Sequence, residues 1–108
     1  MNARDLEQEF QHLHSKISEV RNIILETPAA YKKGLKVSAG FLFLTEDAIE
    51  FYSQKILFLN QQSLAILLDD IVKAESKGNK LIITTSNNKY SFNVTDAKTM
   101  ENAIKEIL

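Results

Sequence analysis

The residues of this chain whose types could carry chemistry are His12 and His14, the acidic pairs Glu46–Asp47 and Asp69–Asp70, and a group of lysines. On a helix, residues two apart point about 200° away from each other, so His12 and His14 cannot share a metal ion or act as a catalytic pair. They read as solvated or helix-flank histidines. Hydrolysis by paired carboxyl groups needs two that converge on one bond from separate parts of the chain. Consecutive acidic residues at strand ends diverge into water, so both pairs read as turn residues. The 108 residues include no cysteine, which excludes disulfides, thiolate metal sites and a cysteine nucleophile. No constellation for catalysis is left, and the expectation is a protein that is not an enzyme and needs no cofactor or metal.

The lysines are the better candidates. Lys32, Lys33 and Lys36 surround Gly34, and Lys55 follows further on. Together they could meet a phosphate or an anionic lipid. No arginine stands among them, so the bidentate grip of a guanidinium is missing. Between Ala29 and Val94 eight lysines face six acidic residues, a net of +2. At roughly 1 kcal/mol per lysine near an anionic leaflet, these four imply weak lipid contact at most. Over the whole chain 13 basic residues meet 14 acidic ones, a formal charge of −1, so no overall field would draw in nucleic acid. No apolar run reaches the roughly 18–20 residues of a membrane span. Met1 leads directly into a charged amphipathic segment, and a cytoplasmic location is expected.

Two kinds of element must position these residues. Leu6, Phe10, Leu13, Ile17, Val20 and Ile24 recur at spacings of four, three, four, three and four, with neither Gly nor Pro between Ala3 and Glu26. That spacing predicts one long helix with a coiled-coil seam, ended by Thr27–Pro28, so residues 1–27 form an amphipathic helical unit. A lone helix of this length is marginal in water, and its seam needs a partner: the chain's own sheet, another protein, or the same helix of a second copy. Glu7 and Glu9 early and Lys16 and Arg21 late favour antiparallel pairing, so a homodimer through this seam is expected.

The period then shortens to two. Phe41–Leu44 is apolar on both faces, Ile49 and Phe51 alternate with Glu50 and Tyr52, and further short runs end at Asp69–Asp70, Gly78 and Asn87–Asn88. Six or seven strands in an antiparallel meander are predicted. Ile56–Leu57–Phe58–Leu59 interrupts them as an apolar run where a loop should be polar, which marks either core or an interaction surface. After a cap at Thr95 or Asp96, Ala97, Met100, Ala103, Ile104 and Ile107 line one face of a closing helix. The class is α+β.

Gly40-Phe41-Leu42-Phe43-Leu44-Thr45 followed by Ala48-Ile49-Glu50-Phe51 resembles the strand signature of GRAM domains, a branch of the pleckstrin-homology-like (PH-like) barrels. Ile66-Leu67-Leu68-Asp69-Asp70-Ile71 and Lys89-Tyr90-Ser91-Phe92 are similar to later landmarks of that family. The resemblance covers residues 29–108. It implies a barrel of six or seven strands capped by the C-terminal helix. Members of the wider group bind phosphoinositides, peptides or proteins, and lipid-binding ones carry basic residues between the first two strands, where Lys32, Lys33 and Lys36 stand. The function expected is therefore an interaction module that binds a protein or itself through the N-terminal helix, with peripheral lipid binding as the alternative.

Overall fold

The helical period of the N-terminal segment holds through Ile17 and no further. The computed structural model describes the backbone of residues 3–53 and 62–108, and their side chains except those of 3–7, 9, 62 and 63. Helix α1 spans Ala3–Ser18, and strand β1 follows at Ile23–Lys33. The single helix expected through Glu26 is thus corrected to a shorter one. Ile23 and Ile24 are β-branched and suit a pleated surface, and Ile23 aligns with Thr45 of the next strand. That pairing overrides the local period, so Val20 and Ile24 leave the seam. Pro28 does not stop a helix but lies inside β1, opposite Phe41. Pairing of β1 with the last strand begins one residue later, at Ala29 and Val94, so the proline occupies a stretch with one open edge.

The chain continues through β2 (Lys36–Thr45), β3 (Ala48–Ser53), β4 (Gln62–Leu67), β5 (Ile71–Lys77), β6 (Lys80–Thr85) and β7 (Lys89–Val94) to helix α2 (Ala97–Ile107). The strands form one antiparallel sheet in the order β4-β3-β2-β1-β7-β6-β5. The expected closed barrel is corrected here too, because β4 and β5 are the two edges and do not pair. A 3-10 turn at Leu68–Asp70 links them along the chain, with Asp69 and Asp70 exposed on it.

Each face of the sheet carries its own apolar cluster. On the concave side Leu42, Leu44, Ile49, Phe51, Ile66, Leu81, Ile83, Phe92 and Val94 pack against Ala97, Met100 and Ile104 of α2. On the convex side Leu13 and Ile17 of α1 are buried against Phe41, Phe43 and Tyr52, joined by Phe10 and Ile23. The Phe10 ring meets Phe41 edge-on at 4.8 Å and stacks on Phe43 at 5.7 Å. From Gly40 of β2 through Tyr52 of β3 the strands are therefore buried on both sides, which is why their sequence there is apolar on both faces.

The seam of α1 thus finds its partner within the chain. Leu13 and Ile17 are nearly inaccessible, whereas Val20 is 70% and Ile24 46% exposed beyond the helix. The side chain of Leu6 lies outside the described residues, as do Lys55 and the run Ile56–Leu59. Polar ties fix the same docking. Arg21 donates through Nε and a terminal nitrogen to the two oxygens of Glu50, at 2.7 and 2.8 Å. Tyr52 donates its hydroxyl to Glu50 at 2.8 Å, and burial followed by this bond pushes the phenol up to about 12. His14 Nδ1 lies 2.5 Å from a carboxylate oxygen of Glu26, tying α1 to β1.

Two local devices hold the sheet in shape. Thr45, wholly buried, donates to Ala48 O and accepts from the Asp47 and Ala48 amides, closing the β2–β3 turn. Gly40 stands where a Cβ would come 2.0 Å from the Tyr52 carbonyl oxygen and 3.0 Å from the Phe51 ring. Its role is close approach to β3. Replacing it with alanine is expected to cost at least about 1–3 kcal/mol, because two paired backbones must separate. Urea unfolding checks this, and an unchanged midpoint would refute it.

At the other edge α2 covers β5. Asp96 caps the helix by accepting from the Thr99 amide at 3.2 Å. One turn on, Glu101 accepts from the Ser76 amide of β5 at 2.5 Å and from Lys98 and Lys105 at 3.0 and 3.2 Å. Lys98 first, then Ser76, pull its carboxyl down from 4.5 to about 2. A depressed carboxyl contributes stability above its ordinary range and loses it as pH falls toward the folded value. Glu101→Gln should therefore destabilise the protein at pH 7, and the deficit should shrink between about pH 4.5 and 2. Denaturant titrations across that range measure it; a deficit independent of pH would mean that the charge is not its source.

Candidate functional site

Strand parity decides where the lysines go. On β1 Leu25, Ala29 and Tyr31 belong to the concave cluster, so Lys33 shares their face while Lys32 takes the other. Gly34 and Leu35 form the two-residue turn to β2, closed by the pair Lys33 and Lys36. Gly34 has φ +60°, a conformation open to glycine without strain. From the far end of the chain β7 brings Lys89 and Tyr90 alongside, with Lys32 opposite Ser91.

These residues surround a cavity of about 360 Å³ at one end of the concave face, lined by Tyr31, Lys32, Lys33, Gly34, Leu64, Asn88, Lys89 and Tyr90. Leu64 of β4 is also among its lining residues. The floor is aromatic: the Tyr31 ring lies 5.2 Å from Phe92, 5.8 Å from Phe51 and 6.4 Å from Tyr90. Burial, with Tyr90 beside it, raises the Tyr31 phenol above its ordinary value. Three exposed lysines, Lys32, Lys33 and Lys89, are among its lining residues, and none of those described is acidic. A smaller, polar recess of about 180 Å³ adjoins it through Asn88 and Tyr90, and there Asp70 stands beside Thr85, Ser86 and Asn87.

Of the four lysines expected from sequence, Lys32 and Lys33 are both among the residues lining this cavity, and Lys36 pairs with Lys33 across the hairpin. Lys89 was missed, because only the β1–β7 pairing reveals that a residue so distant in sequence completes the ring. Arg21, Glu50 and Tyr52 were missed as a group as well. Glu50 reads as the polar side of an alternating strand, and the visible signal was a lone carboxylate beside Tyr52 rather than a polar run. A second cavity of about 360 Å³, lined by Pro28, Ala39, Phe41, Asn93 and others, carries no charged side chain. The charged mouth is the one with chemistry to offer an anion. Among the described residues no helix is long and apolar enough to cross a membrane.

No family model matches the chain, and no curated protein does. Solved structures do. The C-terminal domain of an unknown protein from Leishmania infantum is similar at 18% identity and a TM-score of 0.69, over 94% of this chain and 95% of that one. The Vps36 N-terminal PH domain is similar at 15% identity and a TM-score of 0.62, over 82% and 83%. The DH/PH domain of human ARHGEF11, in a ternary complex with human RhoA and its inhibitor, is similar at 13% and 0.65, over 86% of this chain but 32% of that one. The chain therefore spans about a third of the DH/PH chain. At such identities the likeness concerns architecture alone, and the architecture is PH-like: a seven-stranded antiparallel sheet with a C-terminal helix on its concave face.

Proposed function

We propose that this chain is a non-enzymatic, GRAM-like interaction module that holds anionic lipid headgroups at the mouth formed by Lys32, Lys33 and Lys89. The observation that carries this reading is a half-aromatic cavity whose described lining includes Lys32, Lys33 and Lys89 and no carboxylate. Headgroup phosphates would meet the ammonium groups, and Tyr31 and Tyr90 suit a boundary with one apolar and one wet side. With Lys36 close by, four lysines at roughly 1 kcal/mol each give about 4 kcal/mol, a millimolar contact if charge acts alone.

A protein partner is the second reading, favoured by Val20 and Ile24, which stay exposed at the junction of α1 and β1. Among the described seam residues, self-association retains these two, since Phe10, Leu13 and Ile17 pack against Phe41 and Phe43. If they bind a second copy, the full chain has the mass of a dimer in solution and Val20→Asp returns it to a monomer. A monomeric full chain removes this reading.

The headgroup reading is tested by sedimentation with phosphatidylcholine vesicles, with and without phosphatidylserine. Binding is expected only with the anionic lipid and should weaken severalfold as salt rises to physiological strength. Lys33→Glu together with Lys89→Glu should abolish it while leaving the melting temperature unchanged, since both side chains are exposed. Binding indifferent to both lysines and salt would overturn the proposal.

A further inference from the structure

The open sheet has two edges, and their residues differ in kind. Strand β5 carries Lys73, Glu75 and Lys77, and Glu101 of α2 takes its Ser76 amide. Charges and covering elements of this sort keep a strand edge from pairing with another chain. Strand β4 holds no charged residue and no proline. Its ladder with β3 shifts once, at its start, and runs in unbroken register from Leu64 to Leu67.

The direction of its backbone groups follows from one hydrogen bond. Leu68 donates its amide to the Asp47 carbonyl at 3.0 Å. Bonding in an antiparallel pair alternates along the strand, so Leu64 and Ile66 face β3 while the amides and carbonyls of Ala65 and Leu67 face outward. Among the described residues no strand lies on that side, because β4 ends the sheet. The side chains agree. Leu64 and Ile66 belong to the concave cluster, which puts Ala65 and Leu67 on the convex side. Ala65 is exposed there, and Leu67 is 54% exposed.

The edge is complementary to itself. A twofold axis at Ile66 sets Ala65 of one copy opposite Leu67 of the other, twice over, and each such pair exchanges both of its outward hydrogen bonds. Each exposed leucine then lies beside a small alanine. A shift of one residue would turn outward groups of one copy toward inward groups of the other. A shift of two in one direction would set Leu67 against the polar Ser63. No like charges meet in the paired segment, since Asp69 and Asp70 of the two copies fall at its opposite ends.

We infer that β4 is a homotypic edge: two copies of the chain pair their β4 strands antiparallel about Ile66, joining two seven-stranded sheets into one. This surface is separate from Val20 and Ile24, and it does not depend on the headgroup reading.

Sedimentation equilibrium of the full chain tests it at about 0.5 mM, a concentration suited to a contact smaller than the roughly 1,200 Å² of stable interfaces. Dimers are expected there, and monomers on dilution. Ala65→Pro removes an outward amide and sets its ring where the partner strand would lie, leaving the bonds to β3 in place. Leu67→Lys places a charge at the same edge. Each should weaken the dimer about tenfold or more with an unchanged melting temperature in dilute solution. Should Ala65→Pro unfold the chain, Leu67→Lys decides alone. Val20→Asp should leave this dimer intact. Amide exchange at Ala65 and Leu67 should slow as concentration rises, while that at Val72 of β5 stays constant. A chain that is monomeric at 0.5 mM overturns the inference. So does a dimer that Leu67→Lys leaves at full strength and Val20→Asp dissolves, which would place the contact at the junction of α1 and β1.

Discussion

Arg21 clasps Glu50, a carboxylate with no exposure at all, and that contact constrains the rest of the molecule. A charge taken out of water must be paired, and leaving it alone costs several kcal/mol. Arg21 is three residues past α1, so pairing it over β3 leaves the helix little choice but the convex face of β2 and β3. From Gly40 through Tyr52 the two strands then have no solvent side. Their outward residues become Phe41, Phe43 and Tyr52, and the helix becomes part of the core instead of an arm reaching for a second chain.

With α1 over β2 and β3 on the convex face and α2 on the concave face, the ends of the strands stay open. At one end the β5–β6 hairpin packs beside β7, where Val94 donates to the Asn79 carbonyl. At the other stand the β1–β2 turn and the lysines of β1, β2 and β7. The edges are treated unequally. A free strand edge invites unwanted pairing, and Glu101 occupies the Ser76 amide on β5.

Elements whose pattern is local were legible in the sequence, and so was their order. The turn at Gly78, the cap at Asp96, the bilateral apolarity of Phe41–Leu44 and the acidic corner at Asp69–Asp70 needed no knowledge of neighbours. The N-terminal segment was misread because Val20 and Ile24 fit a heptad spacing that ends at Ile17, while only the register with Thr45 shows that Ile23 is paired in a sheet. Openness of the sheet was equally hidden, since strand count and alternation are the same in a closed barrel. The mouth was half legible: Lys32 and Lys33 cluster in sequence, but Lys89 joins them through long-range pairing. GRAM-like residues such as Gly40 and Thr45 turned out to have steric and hydrogen-bonding duties that would suit any sheet bent this way.

The pairing of β1 with both β2 and β7 also shapes how the chain folds. Its contact with β2 closes a two-residue turn, whereas Ala29 meets Val94 only after about 65 residues have been looped out. The entropy of closing a loop grows with the logarithm of its length, and such non-local contacts set the rate at which small domains fold. The hairpin with Leu35 at its tip can therefore form early and alone, while the mouth does not exist until β7 docks. Lys89 joins Lys32 and Lys33 only through this long-range pairing, so an anion that binds all three recognises the folded sheet and not the hairpin alone.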